Sequence, residues 1–558
     1  VAGRLKKPAF ALAGLAVAMA ASATLVLSLG SDLALNGDEV FYFAHFVIRD
    51  GVVAPLHGVE YFFAPHNGHL VVGGRLIFEL LFRVAGTDYL VFRLAEVIGI
   101  VVAVGVFFAL VRRRAGAAIA LAFSVSLLFL GFANETFLWP FNLHTVYSLA
   151  LGLGALLALE RGDRRGDVAA CLLLTLSVAT LEVGLAFAVG IALSVLFRED
   201  RVRRLWIFVV PIALYAVWWL WARRFGQLET ELANVHLVPR TVFDGLASVA
   251  GSLTGLNPTG SGTPAGQTTV TSAGAVLAVA AVGALALKIR RGGVPTTLWV
   301  SLAIVLTYWA QIALGGREAD TARYVLVGAT MVLLVAADAL RGLRLRPVAI
   351  AAVFVVVALA LPANVAKLKD GRDAMLPEAD ANRAEYAMLD LARAHVDPAF
   401  VPTSDPRVQR AGGAVFVPMA AGPYFEGEDR YGPLGFSLDR IREESPTVRD
   451  VADATLVAGL DLSPHTTEPP ADPAACPSVT DATAKDAAFF ELALGGALLG
   501  SRGGEVKVGL SRFSAGRYDV PVGRLRAGEW ATLRIPPDSA PDPWLAVVSG
   551  PVYVCPLP

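Results

Sequence analysis

The run VAACLLLTLSVATLEVGLAFAVGIALSVLF, residues 168–197, carries one acid, Glu182, in an otherwise apolar stretch. It is longer than the ~20 residues that cross a hydrocarbon core of ~30 Å. Arg161, Arg164 and Arg165 precede it, and Arg198, Arg201, Arg203 and Arg204 follow it. A single crossing would put one of these basic groups on each side of the bilayer. A hairpin of two short helices turning near Glu182 keeps both on the cytoplasmic side, as the positive-inside rule requires. The same rule extends outward to the basic clusters at 4–7, 112–114, 288–291 and 341–346. Apolar stretches lie near 8–30, 89–111, 115–132, 141–159, 205–224, 271–288, 294–314, 324–340 and 347–362. With the hairpin they predict about eleven crossings, a cytoplasmic N-terminus and an extracytoplasmic C-terminus in the plasma membrane.

The composition agrees: 558 residues, 55% hydrophobic and 17% charged, with a mean hydropathy of +0.59, demand a bilayer as solvent. The lipid bilayer is thus the first partner, and the net charge of −1 carries no nucleic-acid footprint. The chain opens on Val1, consistent with a GTG start codon. The first apolar run follows a basic stretch without a convincing cleavage site and reads as a retained helix. Cys171 lies in an apolar run and reads as a packed side chain. Cys476 and Cys555 fall in the C-terminal, extracytoplasmic part, where an oxidising setting makes a disulfide between them plausible.

Two long outer loops are expected, at 31–88 and 225–270. The first contains HLVVGGRLIFELLFRVAG, amphipathic at helical spacing with Arg75, Glu79 and Arg83 four apart, which reads as a helix along the interface. The second contains TVFDGLASVAGSLTGL, another interfacial candidate, and then a Gly/Thr/Ser-rich stretch expected to be mobile. After Pro362 the sequence becomes charged and Pro-rich, so the transmembrane domain is expected over 1–362 and a soluble domain over 363–558. That second domain reads as a helix at 378–396 followed by strands in FFELALGG, EVKVGLSR, GRYDVPV, ATLRIPP, WLAVVSG and VYVC, an α+β arrangement ending in a β-sandwich of jelly-roll type. The fold class is a polytopic α-helical membrane protein with such a C-terminal domain.

The candidate chemistry gathers on the outer loops. Asp38 and Glu39, in LNGDEVFYFAHF, follow the first helix directly. A carboxylate there suits a general base for a sugar or lipid hydroxyl, and Asp38 equally suits an N-cap for a helix starting near Val40. His45, His57, His66 and His69 share the first loop. In FFAPHNGH, His66, Asn67 and His69 read as substrate contacts, as a structural turn, or as part of a site for a divalent metal, which needs three or four converging ligands. Asn134 and Glu135, in FANETFLWPFNLH, follow the third helix, and His144 lies deeper in the fourth; interhelical hydrogen bonding is the alternative for these. Arg223, Arg224, Arg317 and Arg323 break the positive-inside trend. Arg323 could instead pair with Glu318 or Asp320 on its own loop, while Trp218, Trp219 and Trp221 read as an interfacial aromatic belt.

An inner N-terminus, a DE pair just after the first helix, an amphipathic segment in the first loop, a second acid after the third helix and an outer C-terminal domain together resemble the GT-C superfamily of membrane glycosyltransferases. The DE pair is the part that matches as a motif, and the architecture covers about residues 8–340. The FFAPHNGH element is also similar to an FxxPHNxH element of uncharacterised actinobacterial multi-pass proteins. The GT-C resemblance implies an inverting transferase that moves a sugar from a polyprenyl-phosphate donor to an envelope glycan, glycolipid or protein acceptor. Asp38 would be its catalytic base with Glu39 beside it, and Glu135 a second acid of the site. Arg323 and Tyr324, in TARY, resemble the Arg-Tyr that opens a late GT-C helix, and Arg323 becomes the leading phosphate ligand, since guanidinium groups pair with phosphate through charge-assisted hydrogen bonds. A transporter or flippase of lipid-linked saccharides, or a non-enzymatic envelope assembly factor, is the alternative. Inverted repeats would favour transport, and none is evident.

Overall fold

The computed structural model describes residues 8–49, 52–226, 231–258, 270–414, 419–479 and 488–557; the Gly/Thr/Ser-rich part of the second loop, 259–269, lies outside them. The apolar runs are helices. Among the described residues eight are long and apolar enough to cross a membrane, from Ala9–Leu29 to Pro347–Ala392, and a bent pair, Ala117–Leu128 with Gly131–Leu138, makes up to nine. The expected count of about eleven is therefore not reached by length alone. The stretch at 168–197 does form two short helices, Arg164–Thr180 and Val183–Leu196, broken at Leu181 and Glu182. Ser148 Oγ lies at that break, 2.9 Å from the Ser177 carbonyl and 3.0 Å from that of Leu181, within reach of its one hydroxyl proton. The chain is a multi-pass helical membrane protein with a C-terminal sheet region.

Two compact units result, one of Val1–Leu33 with Val47–Met375 and one of Ala34–Phe46 with Leu376–Pro558. In the first unit the basic clusters at 112–114 and 198–204 meet acids. Buried Arg114 donates to Asp338 at 2.7 Å and to Glu160 at 3.1 Å, and Ser301 Oγ donates to Asp338 at 2.6 Å. Arg204 Nε reaches Asp167 at 2.8 Å, which brings the two basic flanks of the hairpin together.

The amphipathic segment of the first loop is the helix Val72–Ala85, which buries Phe78 and Phe82 together with two charged side chains. Leu76, Leu80 and Val84 are exposed, whereas Arg75 and Glu79 are buried. Arg75 donates to the carbonyls of Tyr61 and Ala64, so Arg75 and Glu79 of the expected polar stripe face protein, while Arg83 is exposed and donates back to Glu79 at 2.6 Å. The bend in the pair 117–138 is 43°. It sits at Gly131, where a Cβ would stand 1.6 Å from the Asn364 carbonyl oxygen, so a glycine is required for the backbone to approach this closely.

The helix that begins at Pro347 runs without a break to Ala392, past both Pro362 and Pro377, and the units divide at Met375 and Leu376 instead of at Pro362. Pro362 lacks the N–H that would bond the Ala358 carbonyl, a loss that membrane helices tolerate. Asn364 Nδ2 donates to the carbonyls of Ala360 and Ser252, each at 3.0 Å.

Beyond Ala392 the described residues of the second unit form four further α-helices, Pro406–Ala411, Ala421–Tyr431, Leu438–Glu443 and Pro446–Gly459. Asp405 and Ser445 cap the first and last of these ahead of a proline at the first helical position, a start signal legible in the sequence. Among the described residues nine strands follow: β1 His465–Thr467, β2 Ser478–Val479, β3 Ala488–Glu491, β4 Gly496–Ser501, β5 Val506–Ser511, β6 Val520–Leu525, β7 Trp530–Arg534, β8 Leu545–Val548 and β9 Val552–Pro556. They form two sheets with antiparallel pairings, ordered β3-β8-β5-β6 and β1-β7-β4-β9-β2. The strand β4 was not expected as a separate element, because it is buried along its whole length and so lacks the alternation that marks a half-buried strand.

Cys476 and Cys555 are joined by a disulfide across 79 residues of sequence, beside Leu498 and Trp530. Replacing both by Ser is expected to lower the stability of the second unit by about 2–4 kcal/mol, mostly by releasing the unfolded chain. Denaturant unfolding of the wild type with and without reductant, compared with the double variant, checks this.

Candidate functional site

FFAPHNGH folds into a two-residue turn. Asn67 and Gly68 have φ of 47° and 81°, and His66 and His69 exchange backbone bonds, 3.1 Å for His66 N to His69 O and 2.9 Å for the reverse. Asn-Gly is the residue pair that a type I′ turn favours, because both central residues must adopt positive φ. The turn aims its two histidines differently. His66 is buried with its ring 5.2 Å from Phe141. His69 turns its Nδ1 to the Glu182 carboxylate and receives Arg317 Nη1 at its Nε2, 2.6 Å away.

Each partner of His69 is placed by a helix end. Glu182 sits in the break between Arg164–Thr180 and Val183–Leu196, and there Tyr215 OH donates to its Oε1 at 3.1 Å. Arg317 follows the helix Thr296–Leu314. Its N–H donates to the Ile312 carbonyl at 3.1 Å, the Gly316 N–H to that of Ala313 at 2.9 Å, and Gly316 has φ of 65°. These are the two bonds and the left-handed residue of a Schellman cap, which LGGR in the sequence announces. Arg317 Nη1 also lies 3.5 Å from Tyr324 OH, and Nη2 donates to the Asn67 carbonyl at 3.2 Å.

Arg323 and Tyr324 open the helix Ala322–Ala339 and diverge. Arg323 Nε donates to Glu135 Oε2 at 2.9 Å, with its guanidinium 5.8 Å from the Trp139 ring centroid. Its partner is thus an acid 188 residues away, and not Glu318 or Asp320 on its own loop. Burial, with smaller contributions from Glu318 and Asp244, raises the Asp320 carboxyl above its ordinary value. Asn134 is buried against Gly371, where a Cβ would stand 2.5 Å from its own. His144 is buried with its ring 4.8 Å from Phe141. Arg223 stacks over Trp219, and Arg224 over Trp221 at 4.2 Å while pairing with Glu60 at 3.0 Å. These tryptophans hold arginines as well as lining the helix surface.

Beside this polar group lies a cavity of about 720 Å³, lined by Phe63, Leu70, Leu214, Trp218 and Trp221 among others. Tyr215 belongs to its wall and carries the hydroxyl that bonds Glu182, and Arg224 also lines it. An apolar cleft meeting a charged cluster at one residue is suited to an amphiphile with an anionic head.

Asp38 and Glu39 belong to the second unit. Asp38 precedes the short helix Glu39–Phe43 but makes no side-chain cap bond, so the N-cap reading accounts for its position and not for its carboxylate. Glu39 is fully buried and accepts the Asn36 N–H at 3.0 Å, which is a local structural use. The segment is fastened to the rest of its unit by Phe43 against Tyr424 and by Tyr431 OH on His45 Nε2 at 2.9 Å.

Among the described residues no group of three His, Cys, Asp or Glu side chains could hold a metal ion. Sequence reading left Glu182 and Tyr215 out of the site. The signal in the sequence is an acid inside an apolar run, which is costly in a membrane and by default functional.

No protein-family model matches the chain, and no curated protein does. Among solved structures it is similar to ArnT from Cupriavidus metallidurans bound to undecaprenyl phosphate, at 13% sequence identity and a TM-score of 0.42, covering 69% of this chain and 81% of that one.

Proposed function

We propose that this chain is a GT-C-type membrane glycosyltransferase that moves a sugar from a polyprenyl-phosphate donor to an envelope glycan, glycolipid or protein acceptor on the outer face. The observation that carries this reading is the apolar cavity whose wall residue Tyr215 bonds the Glu182–His69–Arg317 cluster. A polyprenyl chain needs the first and its phosphate the second. The basic clusters at the opposite helix ends, with the disulfide in the second unit, support an outer placement.

In this reaction Asp38 takes the acceptor hydroxyl proton, the freed oxygen attacks the anomeric carbon with inversion, and the bond from that carbon to the phosphate oxygen breaks. Arg317 and Arg323 stabilise the negative charge left on the polyprenyl phosphate. Glu135 holds Arg323 at the Trp139 face. Arg323→Ala is expected to lower turnover about 100-fold, and Arg323→Lys to recover little of it because an ammonium lacks the planar fork.

The test compares envelope glycan composition and polyprenyl-phosphate-sugar levels in a deletion strain with those in the complemented strain. Loss of one sugar residue together with donor accumulation on the outer leaflet supports transfer. Accumulation confined to the inner leaflet would instead establish a flippase.

A further inference from the structure

We infer that Glu182 is a positioning residue which, through His69, holds Arg317 in the orientation that receives the donor phosphate. The inference rests on the transferase reading above and adds a residue to its site. Arginine has donors and no acceptor, so the Nε2 of His69 that meets Arg317 Nη1 at 2.6 Å must offer its lone pair. The ring proton then sits on Nδ1, facing the Glu182 carboxylate. One tautomer satisfies both contacts, and it gives a directed chain from carboxylate to imidazole to guanidinium. Tyr215 OH donates into the same carboxylate at 3.1 Å.

Glu182 is tied to Arg317 by a second route. Its backbone carbonyl accepts Gln311 Nε2 at 3.3 Å, and Gln311 lies in the last turn of the helix whose cap sets the backbone of Arg317. Side chain and main chain of one residue thus fix both ends of the arginine. Ordering a long cation before its anion arrives removes an entropic cost from binding. The contrast with Arg323 is chemical: there the carboxylate of Glu135 contacts the guanidinium directly at 2.9 Å, whereas an imidazole separates Glu182 from Arg317. The arrangement also gives a reason for an acid in an apolar run, where it is expensive to keep.

Equilibrium binding of undecaprenyl phosphate to the full chain in lipid nanodiscs tests this, with the wild type, Arg317→Ala, Glu182→Gln, His69→Phe and the double variant Glu182→Gln/His69→Phe. Arg317→Ala should weaken binding by about 30-fold, and Glu182→Gln and His69→Phe by about tenfold each. The double variant should bind no more weakly than either single one, because both act along one chain. Near-wild-type binding by Glu182→Gln and His69→Phe, or losses that simply add, would overturn the positioning role while leaving the donor assignment intact. A wild type that does not bind the lipid overturns the donor reading and this inference together. If Glu182→Gln does not accumulate, Tyr215→Phe with His69→Phe completes the same cycle from the other side of the carboxylate.

Discussion

Asp38→Asn is expected to lower sugar transfer by about 10²- to 10⁴-fold, the loss that follows removal of a general base, at unchanged abundance in the membrane. The substitution keeps the size and much of the hydrogen-bonding capacity of the side chain. Glu39→Gln should act differently, because that carboxylate is fully buried and accepts the Asn36 amide. Its effect belongs on stability. Measuring glycan composition and protein level for both variants separates the two roles. Full rescue by Asp38→Asn would end the base assignment and shift the reading toward transport.

Asp453→Ala is the change expected to cost the second unit most. The carboxylate is fully buried and accepts the backbone N–H groups of Arg512 at 2.9 Å, Phe513 at 2.8 Å and Ser514 at 3.1 Å, together with the hydroxyls of Ser511 and Ser514. Truncation strands three buried donors, and at roughly 1–3 kcal/mol each the loss should reach about 4 kcal/mol. Asp453→Asn keeps an acceptor and should lose less. Burial raises the Asp453 carboxyl above its ordinary value despite the amide bonds that lower it. Its protonated form is therefore favoured in the folded state. The contribution is fully present below the unfolded pKa and is lost as pH rises through the folded one. The stability gap between wild type and Asp453→Asn should accordingly be widest at low pH, which denaturant titrations at several pH values read directly.

What the sequence could reveal follows from how far each signal reaches along the chain. The helices are legible because their apolar runs are continuous, and the break at Glu182 because charge flanks it on both sides. The HNGH turn and the LGGR cap are legible because each is decided by residues within a few positions. Glu182 as a site residue is not, since its partners His69 and Tyr215 lie 113 and 33 residues away. The helix through Pro362 is misread because its apolar run stops there, and the charge and proline that follow mark a boundary by composition alone. The membership of residues 34–46 in the second unit depends on packing that no local pattern announces: Phe43 fills the space where a Cβ on Gly427 would stand 2.4 Å away.

The buried bonds of Arg114, Asp338, Ser301 and Glu160, with Arg204 on Asp167, have a mechanical meaning. They fasten the helices at the end away from the cavity, in the way a rivet joins the blades of tongs. Such a bundle yields most readily at its unfastened end, where breaking local contacts costs least. Asp338 bonds Arg114 and Ser301 and touches none of the groups assigned to the sugar or the phosphate. If the cavity takes the lipid donor proposed above, loosening this fastening should alter how quickly the lipid enters and leaves, with little change in how tightly it is held.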